Sequence, residues 1–149
     1  MVAILYRMER FYMRKAIIIN DSKLERAVLK DRMTNLGYSV IIADEYSWFN
    51  KLKNEKPTVA IVNYTMEEIT GDKIISAINT NFPDVKCYLS SCNKLNPRDF
   101  KDINIERIIT TPISITNLEN ILTNKDACLN CGKLLTENFR FCPHCGAEV

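Results

Sequence analysis

The chain of 149 residues holds no apolar run approaching the ~18 residues of a membrane-spanning helix, which argues against a membrane partner. The opening Met1-Val2-Ala3-Ile4-Leu5-Tyr6 is too short for a secretory hydrophobic region, and Arg7, Glu9 and Arg10 follow at once, so a cytoplasmic location is expected. Charge of one sign is also lacking: 20 basic residues face 18 acidic ones, for a net charge of +2 spread evenly along the chain. That balance gives no electrostatic footprint for a phosphate backbone. There is a single histidine, His144, so imidazole acid–base chemistry has no candidate elsewhere. Internal repeats and low-complexity stretches are absent.

Against this plain background stand six cysteines, four of them in Cys128-Leu129-Asn130-Cys131-Gly132 and Cys142-Pro143-His144-Cys145-Gly146. Two Cys-x-x-Cys pairs at this separation can set four thiolates around one ion. Zn²⁺ accepts four sulfurs tetrahedrally at roughly 2.3 Å without redox chemistry of its own. The glycine after each pair lets the backbone turn back with positive φ. Two disulfides or four free thiols are the competing reading, and a reducing compartment disfavours the disulfides. With four thiolates as ligands no coordination position stays open, so the metal is expected to be structural.

From Ala127 to about Glu148, with Phe141 and Pro143 in place, this segment resembles the short zinc-ribbon family. The knuckles are also similar to those of the iron-binding rubredoxins, which have a longer intervening chain. His144, lying between the last two cysteines, is expected to face solvent. A segment this short buries little apolar core, so its metal must supply most of its folding free energy.

The rest of the chain alternates short apolar runs with helical patterns, the mark of a parallel α/β sheet. Strands are predicted at 15–20, 38–43, 57–63, 85–90 and 106–110. The first helix, capped by Asp21 and Ser22, is expected to bury Leu24, Val28, Met33 and Leu36 and to stop at Gly37. Asp44 opens a second with Trp48, Phe49 and Leu52 inward. A third follows Gly71 through Ile74, Ile75 and Ile78, and a last one carries Ile115, Leu118, Ile121 and Leu122. Weak periodicity between Cys92 and Asn104 predicts only a short helix. Cys87, in an apolar strand, and Cys92, in the loop after it, are expected to be inert. The expected domains are an extension at 1–12, an α/β domain at 13–124 and the zinc ribbon at 125–149. Met13-Arg14-Lys15 reads as a natural start, which makes the extension an upstream-start artefact or an added arm.

In an open parallel sheet, function gathers beyond the carboxyl ends of the strands, here Asn20-Asp21, Asn63, Ser90-Ser91 and Thr110-Thr111-Pro112. In its order of landmarks, residues 14–123 resemble the receiver domain of two-component response regulators. These landmarks are the apolar strand ending in Asn20-Asp21-Ser22, then Leu36-Gly37-Tyr38-Ser39-Val40, then Pro57 to Asn63 followed by Met66 and Gly71, and finally Thr111-Pro112. The resemblance implies a five-stranded, doubly wound flavodoxin-like sheet. It also implies a pocket at Asn20, Asp21, Asn63, Ser90 and Thr111. In that family paired acids after the first strand hold Mg²⁺, and an Asp ending the third accepts a phosphoryl group. A Ser or Thr after the fourth strand and a Lys after the fifth contact its oxygens.

Here Asn63 stands at the acceptor position, Asn20 replaces the first acid and Thr111 replaces the lysine, while Asp21 and Ser90 keep the family identities. An amide has no anionic oxygen with which to attack a phosphoryl donor. Asp21 alone is a poor Mg²⁺ site, so Zn²⁺ is expected as a structural cofactor and Mg²⁺ is not. Phosphorylation or metal binding of Asp21 by a variant route competes with its role as a helix cap.

The resulting expectation is a non-enzymatic pseudo-receiver that signals through protein–protein contacts. Its partner or dimer surface would be the family's fourth-helix, fifth-strand and fifth-helix face, here about Leu95 to Leu122, with the ribbon as a second surface. A nucleic-acid-associated regulator using the ribbon is the alternative, opposed by the ribbon's neutrality and by the scarcity of basic residues among aromatics outside Phe139-Arg140-Phe141. A hydrolase using Asp21 and Ser90 is a third reading, and it lacks a histidine at that edge.

Overall fold

The computed structural model describes residues 14–123, 128, 133–135, 139–146 and 148. The extension at 1–12 and the ligand candidate Cys131 lie outside the described residues. Among the described residues the strands are β1 (Lys15–Ile19), β2 (Ser39–Ala43), β3 (Val59–Asn63), β4 (Lys86–Ser91) and β5 (Arg107–Thr110). They form one parallel sheet in the order β2-β1-β3-β4-β5. The helices are α1 (Lys23–Asn35), α2 (Trp48–Glu55), α3 (Gly71–Asn81) and α4 (Ile115–Thr123), and Pro97–Phe100 makes a single 3-10 turn between β4 and β5.

Strands buried on both faces need apolar residues at every position, which is why their sequences read as continuous runs. Ala16 and Ile18 of β1 point to one side, with Ile61, Tyr88 and Ile109, and meet Leu29 and Met33 of α1 and Leu118 and Ile121 of α4. Ile17 and Ile19 point to the other, with Ala60, Val62 and Leu89, and meet Leu52 of α2 and Ile74, Ile75 and Ile78 of α3. The result is the expected doubly wound, three-layer α/β unit.

Three helix faces differ from the sequence reading. In α1 the buried pair is Leu29 and Met33, while Leu24 is 75% exposed and Val28 borders solvent. Leu24–Val28 and Leu29–Met33 are both i, i+4 stripes, one residue apart, and periodicity alone does not choose between them. Asp21 is exposed, and the Ser22 hydroxyl caps α1 by accepting from the Glu25 N–H. Phe49 is 41% exposed, and Ile115 of α4 also borders solvent. Phe49 packs edge-on against Trp48 and Phe82 at the sheet margin, with both centroid distances 5.5 Å.

α3 starts against the end of β3. A Cβ built on Gly71 would stand 2.1 Å from the Asn63 carbonyl oxygen, so only glycine fits, and its N–H donates to Tyr64 O at 2.8 Å. The crossover from β4 to β5 is thin. Besides its 3-10 turn, it is pinned to α3 by Asn79, whose Nδ2 donates to Asn104 O (3.2 Å) and whose Oδ1 accepts from Asn104 N (2.8 Å). Among the described residues no helix is long and apolar enough to cross a membrane.

Candidate functional site

β2 and β3 leave β1 on opposite sides, so the sheet opens a crevice beyond the carboxyl ends of β1 and β3. Asn20 follows β1 and Asn63 ends β3; Ile19 is in register with Val62, and Asn63 with Ser90. Asn20, Asn63 and Ser90 are all buried and lie at or just past the carboxyl ends of three adjacent strands. Thr111 lies one strand further out, its N–H donating to Ser91 O at 2.9 Å, and its peptide bond to Pro112 is cis. Asp21 is at the solvent rim. Four of the five residues expected at this edge are therefore buried or half-buried there, and the only carboxylate among them is the exposed one.

Both amides are spent on hydrogen bonds. Asn20 Oδ1 accepts from the Ser22 N–H at 2.9 Å, which turns Nδ2 toward the Glu25 carboxylate at 2.8 Å. In an ordinary capping box Glu25, three residues after Ser22, would reach back to the Ser22 N–H itself. Here Asn20 is inserted between them as a relay. Asn63 Nδ2 donates to the Thr65 carbonyl at 2.6 Å. In each case the amide supplies an N–H donor to an oxygen, a role an ionised carboxylate cannot fill. The Ser90 hydroxyl is buried without a hydrogen-bond partner.

Sequence reasoning missed two neighbours. Glu25 was legible as part of a Ser-x-x-Glu box but not as a partner of the strand-end amide. Glu45 had no signal at all: an acid in a loop reads as solvated. It is 9% exposed, and its Oε2 accepts from the Glu68 and Ile69 N–H groups at 3.1 and 3.2 Å, tying down the segment between β3 and α3. Cys87 matches its expectation as an inert thiol, since burial, with Glu106 adding to it, pushes its pKa up to about 12.

The second constellation is at the carboxyl-terminal end. The sulfurs of Cys128, Cys142 and Cys145 lie within 4.8 Å of one another, and Cys128 and Cys145 are 3.7 Å apart. That spacing is far from a disulfide bond and close to the ~3.8 Å edge of a tetrahedron of sulfurs around Zn²⁺. Cys128 and Cys142 are buried, His144 is exposed, and the His144 N–H points at Cys142 Sγ at 3.4 Å. Gly146 takes φ +76° and its N–H donates to Cys142 O at 2.8 Å, closing the knuckle as the glycine suggested. The Cys128 N–H donates to Lys133 O at 2.8 Å. The donor set and its spacing fit a metal ion of the zinc type.

Residues 128–149 match the zinc-ribbon domain family. The chain is 27% identical over 67 residues to a chemotaxis protein CheY homolog of Campylobacter jejuni, a match covering 43% of this chain and 52% of that protein. It thus spans about half the length of the curated relatives it matches. Among solved structures, a CheY-like receiver domain from Methanospirillum hungatei superposes with a TM-score of 0.69 at 17% identity, covering 76% of this chain and 93% of that one. The chemotaxis protein CheY4 of Vibrio cholerae gives 0.68 at 18%, covering 74% and 96%. The receiver domain of a Pseudomonas aeruginosa sensor histidine kinase, described with magnesium coordinated in its active-site cleft, gives 0.65 at 15%, covering 74% and 94%. At these identities the likeness is one of fold: a CheY-like receiver fold carrying a cysteine-rich, zinc-ribbon-like segment at its carboxyl-terminal end.

Proposed function

We propose that this chain is a receiver-type signalling protein without phosphotransfer, acting through protein–protein contacts and carrying a structural zinc site at Cys128, Cys131, Cys142 and Cys145. The observation that supports the lost switch best is the direction of the two amides. Where a phosphoacceptor and a metal-binding acid would stand, Asn63 and Asn20 donate hydrogen bonds to Thr65 O and to Glu25. A cleft of this fold in the Pseudomonas aeruginosa relative is described as holding magnesium. Here the Asn20 oxygen already accepts from Ser22 N, and Asp21 is left at the rim. Mg²⁺ wants an octahedron of oxygens with carboxylate charge, and one exposed carboxylate supplies little of either. The same edge contains no histidine, which supports a non-enzymatic reading.

The expected partner surface is the region Leu95–Leu122, with homodimerisation as one form of that contact. Titration with Mg²⁺ and beryllofluoride, followed by amide NMR shifts, tests the proposal. No saturable shifts at Asn20, Asp21, Asn63 or Thr111 are expected, and saturable binding there would refute it.

One feature favours a nucleic-acid role for the ribbon: Arg140 lies over the exposed Phe141 ring at 5.6 Å, the kind of pair on which a base can stack. The segment from Lys125 carries three basic and three acidic residues and offers no field to support it. Absence of binding to single- or double-stranded DNA at low salt would close this reading.

A further inference from the structure

α1 buries Leu29 and Met33 and leaves a second apolar stripe outside. Leu24, 75% exposed, is the most exposed large hydrophobic among the described residues, and Val28, one turn further on, borders solvent. Ala27, between them, is exposed as well. The stripe runs on into a groove of about 190 Å³ that Leu24 and Val28 line together with Cys92, Pro112 and Ile113. Single apolar residues scattered over a surface need no explanation, but a continuous stripe with a groove beside it marks a contact.

The charges beside the stripe say what that contact is with. Lys23, Ala27 and Asp31 follow one another four residues apart, so they lie along one line of α1. Lys23 stands in the first turn, where the macrodipole disfavours a cation. Among the described residues neither Lys23 nor Asp31 has an ion-pair partner. Eight residues of helix separate the two by about 12 Å, too far for them to pair with each other.

A second copy of α1 answers both features. When two such helices pack antiparallel about a two-fold axis at Ala27, Lys23 of each copy stands level with Asp31 of the other. The small Ala27 side chains lie at the crossing, and Leu24 of each copy lies nearest Val28 of the other. Two reciprocal ion pairs then flank an apolar centre. A parallel arrangement would instead set Lys23 against Lys23 and Asp31 against Asp31.

We propose that α1 is a homodimer contact, in which a second copy of this chain packs antiparallel on the Leu24, Ala27 and Val28 stripe and Lys23 pairs with Asp31 across the two-fold axis. This is one form of the protein–protein contact proposed above, on which it rests, and it places the dimer surface on α1 and the rim of the groove at Pro112 and Ile113.

Sedimentation equilibrium of the full chain over a concentration series, with a thermal melt of each variant, tests it. A reversible monomer–dimer equilibrium is expected. Leu24→Glu, at an exposed position, should leave the melt unchanged and abolish the dimer. Lys23→Asp should weaken the dimer about tenfold by creating two like-charge pairs, and adding Asp31→Lys should restore it. Because Lys23→Asp suits the macrodipole, loss of the dimer in that variant cannot come from a weakened α1. A dimer that survives Leu24→Glu, or a double variant no tighter than Lys23→Asp alone, overturns the α1 contact and leaves protein contacts elsewhere on the chain standing. A chain that stays monomeric throughout the series overturns it as well. The wider reading stands or falls separately, on the beryllofluoride titration.

Discussion

At the scale of single residues, Asn20 and Asn63 are strand-end amides whose N–H groups are in use. Placing an acid at either position is therefore not a neutral change. In Asn20→Asp a carboxylate would face Glu25 Oε2 across 2.8 Å, exchanging a charge-assisted hydrogen bond for repulsion between like charges. The variant should lose about 2 kcal/mol of stability at neutral pH, read from its urea midpoint. A variant as stable as the parent would mean that the relay from Ser22 through Asn20 to Glu25 does not matter. The identities of both amides were plain in the sequence. What they bond to was not, because a side chain's direction depends on neighbours brought in from other turns, as Glu45 and its grip on Glu68 and Ile69 also illustrate.

At the scale of elements, the strands were legible to within a residue or two, because burial on both faces leaves runs such as Ala16-Ile17-Ile18-Ile19 with no other use. Helix faces were less so. α1 carries two apolar stripes, and tertiary packing chose Leu29 and Met33, leaving Leu24 and Val28 beside Cys92, Pro112 and Ile113 in a groove of about 190 Å³. The tightest junction is the start of α3. Alanine in place of glycine ordinarily favours a helix by about 1 kcal/mol. Gly71→Ala should instead cost about 3 kcal/mol, since its Cβ would press on the Asn63 carbonyl. Thermal unfolding gives the sign directly, and a stabilised variant would contradict the close approach of α3 to β3.

At the scale of the whole molecule, the α/β unit has two apolar layers of its own, whereas the cysteine-rich segment gathers the sulfurs of Cys128, Cys142 and Cys145 within 4.8 Å of one another. Cys142→Ser should abolish stoichiometric zinc binding, measured by metal analysis, and leave the main cooperative melt within a few degrees of the parent. Loss of that melt would show that the two parts do not fold separately. The receiver-like order of landmarks and the two Cys-x-x-Cys pairs made both parts readable from sequence. The contact between Arg98 and Glu148 was not readable, because it joins residues fifty apart through an ion pair that no periodicity encodes.

The central claim is that the third strand ends in an amide that cannot carry a phosphoryl group. It is tested most directly by incubating the protein with acetyl phosphate and Mg²⁺ and recording its intact mass. The unmodified mass is expected at every time point, while a hydroxylamine-labile gain of one phosphoryl group mapping to the strand ends would contradict the account.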